Sequence, residues 1–342
     1  MEKYQILKDL VKFNTIKDND NVGIINYIEE ILAKKGFKVD EKGKYLIMSY
    51  GENPTFGFLG HTDTVEYIDG WNTDPFTLTE KENKLYGLGV CDMKSGIAAI
   101  LDAVLDTDLR NIKNGLKLYF TYDEEIGFGG VYEIVKKKEK FPQFMVFGEP
   151  TYNEVLIGCK GLLECDLNFA GIKVHSSTPD KGKSANLNAV RFFYELEQFY
   201  LKEIKPDVDD RFDIPYTTMN LGILKGGSAK NSIPANCYGT LDFRLVKDEH
   251  SDKILDKLKE LCEKYDCDYK VMDFVHPFIN EVEIENDRKT ANFLTEANVI
   301  DCNTKVILGT GPVTAHEMNE YIEKSSYDKL VEQYKTLIEK FA

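Results

Sequence analysis

Between residues 22 and 35, Ile24, Ile25, Ile28, Ile31 and Leu32 recur at helical spacing, and Gly36 supplies a stop. Short apolar runs bounded by turn residues follow: KYLIMSY, then TFGFLG. Ile97, Ala98, Ile100, Leu101 and Val104 restore the helical period, and GLKLYFTY, QFMVFG and EVLIG read as further buried strands. Strands alternating with helices predict an α/β sheet covered on both faces. From about Leu162 the pattern changes. LLECDLNFAGI, TTMNLGILKGG, NCYGTLDFRLV and DYKVMDFV read as strands, and ANLNAVRFFYELEQFYL and HSDKILDKLKELCEKY as helices. That order is β-α-β-β-α-β, the ferredoxin-like unit. The sheet pattern resumes at KVILG, and SSYDKLVEQYKTLIEKF closes the chain as an amphipathic helix. The predicted organisation is a discontinuous domain of residues 1–161 and 274–342, with residues 162–273 inserted.

Composition narrows the classes. A chain of 342 residues exceeds one ordinary domain of roughly 100–200. No apolar run reaches the roughly 18 residues of a membrane span, so a membrane partner is not expected. The start, MEKYQILKDLVKF, lacks the basic-then-apolar pattern of a signal peptide, and a cytoplasmic location is expected. The cysteines number seven, with no C-x-x-C, which reads as reduced thiols. A formal net charge of −15 argues against nucleic acid, whose phosphates need a basic face.

The candidate chemistry lies in five local contexts: His61 in GHTDTV, Asp92 in GLGVCDMKSG, Glu125 in TYDEEIG, Glu149 in FGEPT and His316 in GPVTAHEMNE. Glu124 stands beside one of them. Imidazole nitrogen and carboxylate oxygen suit borderline and hard divalent cations. Two His and three carboxylates can hold a pair of ions, and a spare Glu can act as a base. His61, Glu124, Glu125, Glu149 and His316 each follow a predicted strand, where open α/β sheets place their sites. The i,i+2 spacing of Asp63 and His61 lets a carboxylate reach the far ring nitrogen and fix the tautomer.

The elements HxDTV, DMKxG, DEExG, GEPT and AHxxNE, in this order over nearly the whole chain, resemble the co-catalytic zinc aminoacylase, acetylornithine deacetylase, succinyl-diaminopimelate desuccinylase and carboxypeptidase G family. The resemblance implies a mixed-sheet, zinc-peptidase-like α/β catalytic domain with an inserted ferredoxin-like (βαββαβ) lid and dimerisation domain. It implies one ion on His61, Asp92 and Glu149 and another on Asp92, Glu125 and His316, with Asp92 shared. Glu124 would serve as general base, and Asp63 would orient His61. A cis peptide is implied between Asp92 and Met93. His175, in GIKVHSSTPDKG, would polarise the scissile carbonyl from a partner subunit. Arg244, Asn231 and Gly311 are implied as substrate contacts, Arg244 through the carboxylate that its planar fork matches. The ions would be zinc, with cobalt or manganese as alternatives. The segment NDRKTANFLTEANVIDCNT departs from the Gly-rich or Thr-Ser-Asp pattern that helps form the family's substrate pocket.

The function these readings imply is two-metal hydrolysis of an N-acyl amino acid, of the acetylornithine deacetylase or succinyl-diaminopimelate desuccinylase type. A dipeptidase or carboxypeptidase on the same machinery is the alternative, and a non-catalytic metal-binding scaffold a second. Family aminopeptidases and dipeptidases commonly carry Asp at the position of Glu149, which favours a deacylase or carboxypeptidase. A homodimer is expected, because the inserted unit offers strand edges and a helix with Phe192, Phe193, Tyr194, Phe199 and Tyr200 for a symmetric partner to cover. His250 and His276 carry no role, and His250 is expected at a helix cap or facing solvent.

Overall fold

A computed structural model describes residues 2–16, 21–280 and 289–342. The chain forms two compact units. One comprises the described residues of Met1–Ile157 together with Asn280 and Thr295–Ala342, the other Gly158–Ile279 and Lys289–Leu294. The second unit thus starts before residue 162 and runs past 273, the limits read from the sequence pattern. The cause is local pairing: Gly158 and Cys159, at the end of strand Leu156–Cys159, pair with Phe278 and Ile279.

The first unit is built on a mixed sheet. Strands Gly115–Thr121, Phe56–His61, Phe144–Phe147 and Thr304–Ile307 lie side by side in parallel. Leu46–Gly51 adds antiparallel to Gly115–Thr121, and Lys38–Lys42 adds antiparallel to that. Every residue of Phe56–His61 and Phe144–Phe147 is buried, as expected of strands covered on both faces. Helix Ser95–Asp106 is apolar nearly all round and buries Ile97, Ile100, Leu101 and Val104. Each such side chain stabilises the fold by about 1.5–3 kcal/mol relative to exposure. Helix Lys324–Phe341 covers the same core with Leu330, Tyr334 and Ile338. No helix among the described residues is long and apolar enough to cross a membrane.

The second unit carries a four-stranded antiparallel sheet in the order Thr218–Gly226, Asn236–Leu245, Gly161–Ala170, Cys267–Val275. Helices Ala185–Phe199 and Asp248–Tyr265 complete the β-α-β-β-α-β order. Of the five aromatics expected on an exposed face of the first helix, Tyr194 alone is exposed and Phe199 is partly buried. Phe192, Phe193 and Tyr200 belong to the unit's own core, where they pack with Phe169, Leu241 and Leu258. The face left outward is Leu187, Val190 and Tyr194, at i, i+3 and i+7. His250 is also corrected: it is fully buried, with Nδ1 2.7 Å from Thr217 Oγ1 and Nε2 3.1 Å from Asp207 Oδ2. His276 is exposed, with Nδ1 2.7 Å from Asp248 Oδ1. All seven cysteines are thiols, none joined in a disulfide.

Candidate metal centre

Four parallel strands deliver most of the candidate residues from their C-terminal ends. His61 is the last residue of its strand and lies in register with Thr121, the last of the neighbouring strand. Glu124 and Glu125 open a short helix just beyond Thr121. Glu149 follows Phe147 by two positions, and Gly311 and His316 lie in the loop after Ile307. His316 adopts left-handed backbone angles, φ 62°, which a loop can supply and a helix or strand cannot.

Asp92 arrives differently, on the turn into helix Ser95–Asp106. Its peptide bond to Met93 is cis. Glu320 grips this turn from below. Its Oε2 accepts from the Gly89 N–H at 2.7 Å, and its Oε1 from Cys91 N–H at 2.6 Å and Asp92 N–H at 3.0 Å. Met93 is fully buried, and a Cβ on Gly60 or Gly148 would overlap its Cε. Glycine at these two positions lets the Asp92 turn press onto the strands that carry His61 and Glu149. Lys94 is buried beneath, and its Nζ donates to the Phe13 carbonyl at 2.8 Å. Burial brings the Lys94 ammonium down to about 7.

Asp92 turns one oxygen to each imidazole. Its Oδ1 is 3.1 Å from His61 Nε2, and its Oδ2 3.6 Å from His316 Nε2. His61 Nε2 also has Glu149 Oε1 at 3.8 Å and Glu124 Oε2 at 4.0 Å. His316 Nε2 is 3.0 Å from Glu125 Oε2. Ligand atoms of His61, Asp92 and Glu125 lie within 4.8 Å of one another. His61 Nδ1 lies 3.0 Å from the Asp63 carbonyl and 3.5 Å from Asp63 Oδ1. A proton placed on Nδ1 for that bond leaves a lone pair on Nε2 facing Asp92, two acceptors that only a proton or a cation can reconcile. Asp63 Oδ2 in turn accepts from Glu125 N–H at 3.2 Å.

The electrostatics follow from crowding carboxylates in a buried place. Burial pushes Glu124 well above the usual carboxylate range, and the charges of Asp92, Glu296 and Glu125 add to it against the pull of His61. Glu149 is raised well above that range by burial and by Asp92. Burial works to lower His61, but hydrogen bonds with Asp63 and Asp92 outweigh it and hold the imidazolium well above the usual value. His316 rises to about 8 through its hydrogen bond with Glu125. Such a cluster of mutually shifted groups marks a functional site. Its donors are the nitrogen and oxygen types that divalent cations take, so the residues fit such ions.

The remaining candidates gather elsewhere. His175 is exposed in the second unit, with Nδ1 2.7 Å from Ser177 Oγ, and it bridges to Ser232 beside Asn231. The Asn231 carbonyl accepts from Ser176 N–H at 2.9 Å. Arg244 already holds a carboxylate: Nε and Nη2 donate to the two oxygens of Asp242 at 3.1 and 2.9 Å. Gly311 is buried, and its N–H donates to Ser326 Oγ at 2.9 Å. Sequence reasoning missed Glu320, although it ends the quoted GPVTAHEMNE, because the donors that give it a part lie on the Asp92 turn, far away along the chain. It also missed Lys94 within DMKSG, and Glu296, which lies in the atypical segment 286–304 and in none of the five motifs. Residues 286–288 of the atypical segment NDRKTANFLTEANVIDCNT lie outside the described residues.

Parallel strands at the centre of a mixed sheet, with two His and several carboxylates gathered beyond their C-terminal ends, suit a metal-dependent hydrolase. Residues 57–340 match the profile of peptidase family M20/M25/M40, and the chain belongs to that family. The acetylornithine deacetylase of Photorhabdus laumondii is 33% identical over 347 residues, 90% of this chain and 87% of the relative. That of Yersinia pseudotuberculosis is 33% identical over 95% of this chain and 92% of the relative. Among solved structures, the M20 metallo-carboxypeptidase Sso-CP2 of Sulfolobus solfataricus superposes with a TM-score of 0.78 at 18% identity, covering 99% of each chain. The protein is a metal-dependent amidohydrolase.

Proposed function

We propose that this chain hydrolyses the amide bond of an N-acyl amino acid, as an acetylornithine deacetylase does, and releases a carboxylate and a free amine. The observation that carries the reading is Asp92, which offers one oxygen towards each imidazole while Glu124, only partly exposed, sets its Oε2 4.0 Å from His61 Nε2. The acyl amino acid comes from the deacetylase relatives, which align with this chain over nine-tenths of its length. His61, Asp92 and Glu149 would hold one divalent ion, and Asp92, Glu125 and His316 the other. Zinc suits this mixed nitrogen and oxygen set, and cobalt or manganese would serve in its place. Bound there, the ions would polarise the amide carbonyl and make a water acidic near neutral pH.

The chain's own residues do the rest. Glu124 takes the proton of the attacking water on its carboxylate and returns it to the departing nitrogen. Asp63 holds the His61 ring in the tautomer that points Nε2 into the site. Arg244 would exchange Asp242 for the substrate carboxylate, and Asn231 and Gly311 would contact the substrate. The second unit would act as lid and dimerisation domain. Its outward Leu187, Val190 and Tyr194 and its edge strand Thr218–Gly226, with Leu221, Ile223 and Leu224 exposed, support a symmetric partner. In such a dimer His175 would donate to the developing oxyanion in the partner's site. A cytoplasmic place in amino-acid biosynthesis fits the reduced cysteines.

The test is a panel of N-acetylornithine, other N-acetyl and N-succinyl amino acids and dipeptides, each with and without chelator. Chelator-sensitive hydrolysis led by an N-acyl amino acid is the expected result. Preference for dipeptides would transfer the same machinery to a peptidase, and no hydrolysis of any of them with metals bound would leave a scaffold.

A further inference from the structure

Glu296 is a fully buried carboxylate outside the set of residues proposed above to hold metal or move protons. It opens a short turn after Thr295, whose hydroxyl accepts from Ala297 N–H at 3.1 Å. One oxygen, Oε2, accepts from Thr121 Oγ1 at 2.8 Å. The other, Oε1, finds no hydrogen-bond donor among the described residues. A buried acid with an unsatisfied oxygen costs stability unless something compensates, and more so when it is charged. A core position chosen for packing alone would be apolar.

Its surroundings indicate what compensates. Thr121 is in register with His61, and its carbonyl accepts both Thr62 N–H at 3.0 Å and Thr62 Oγ1 at 2.7 Å. A single residue, Thr121, therefore links Glu296 through its hydroxyl to the ends of both strands, which its carbonyl joins, one finishing at His61 and the other leading to Glu124. The charge of Glu296 also reaches the site. It adds to the upward push on Glu124 and on Glu149, and His61 in turn pulls down against the burial that raises Glu296 to about 8.

We propose that Glu296 is a positioning residue of the metal centre, whose buried negative charge strengthens cation binding while its bond to Thr121 fixes the strand ends beneath His61 and Glu124. The inference rests on the two-metal reading. Carboxylates behind a metal's direct ligands hold those ligands in place and raise their affinity, and losing one typically weakens binding about 10–100-fold. Burial keeps the Glu296 carboxyl largely protonated near neutral pH on its own, and cations bound nearby would favour its ionised form, so that the charge that is unfavourable alone becomes favourable beside them.

The experiment measures zinc dissociation constants by competition with a chromophoric chelator, together with the melting temperature of each protein in excess chelator. Glu296→Gln keeps an oxygen to accept from Thr121 but removes the charge. It is expected to weaken zinc binding about 10–100-fold while its melting temperature in chelator stays the same or rises. Glu296→Asp keeps the charge but shortens the reach to Thr121, and is expected to retain more affinity than Glu296→Gln. Wild-type affinity in Glu296→Gln, or an equal loss in both variants alongside a lower melting temperature in chelator, would reduce Glu296 to a packing role. A wild-type protein that binds fewer than two ions would overturn the two-metal reading, and the ratio between variant and wild type would still decide the role of Glu296.

Discussion

Glu124, proposed above as the base, shows how its place alters the chemistry of one side chain. An exposed glutamate is a poor base at neutral pH, because its carboxylate holds protons weakly. Here burial raises its proton affinity far above the ordinary range, and the like charges of Asp92, Glu296 and Glu125 add to that. Glu124→Gln keeps the shape and removes the basic oxygen. It is expected to retain both metal ions, measured as metal content per chain, and to lose turnover by about 10²–10⁴-fold, the worth of a positioned acid–base group. Near-normal turnover would remove Glu124 from the mechanism. At this scale the sequence discloses residues unevenly. His61, Asp92, Glu125, Glu149 and His316 stand in short motifs at predicted strand ends, so their convergence can be anticipated. Glu296 and Glu320 cannot be picked out in the same way. What distinguishes them is burial and the donors around their oxygens, and neither property has a spacing along the chain.

Among the secondary-structure elements, periodicity locates helices and strands well and assigns their faces less well. Helix Ala185–Phe199 has apolar residues on more than one side, so the pattern cannot tell which row meets the sheet. The bulky row at Phe192, Phe193 and Leu196 wins the interior, and Leu187, Val190 and Tyr194 are left outward. The small sheet of Thr79–Lys81, Lys84–Tyr86 and Tyr321–Glu323 escapes sequence reading because its strands are short and one comes from far along the chain. Helix Asp248–Tyr265 carries a prediction of its own. Burial holds its His250 below the ordinary histidine value, more than Asp207 raises it. The unfolded chain therefore binds a proton at higher pH than the folded one does. Stability from the neutral imidazole is complete above about pH 6.5 and is lost as pH falls below that value towards the folded pKa. Melting temperatures between about pH 8 and about pH 5.5 should fall more steeply for the wild type than for His250→Gln. Parallel curves would show that His250 does not titrate in this window.

Taken whole, the molecule depends on where its two units take their residues from. If second units pair about a two-fold axis, each active site needs a His175 from the partner, and mixing two inactive proteins reveals it. Glu124→Ala combined with His175→Ala should regain up to about a quarter of wild-type activity once subunits have exchanged, because random pairing makes half the dimers mixed and each of these has one intact site. Confirmed heterodimers without recovered activity would confine His175 to its own chain or to no catalytic part. The order of the elements has a further effect, during synthesis. Domains generally fold as units while the chain emerges from its N-terminus. The strands Lys38–Lys42 to Phe144–Phe147 emerge first, then the whole contiguous stretch Gly158–Ile279, and only afterwards Thr304–Ile307, His316 and the Glu320 that grips the Asp92 turn. A nascent chain thus carries His61, Asp92, Glu125 and Glu149 long before their last partners exist. Binding that needs His316 and the Glu320 clamp would be deferred until the chain has been made past residue 320, after the whole stretch Gly158–Ile279 has emerged.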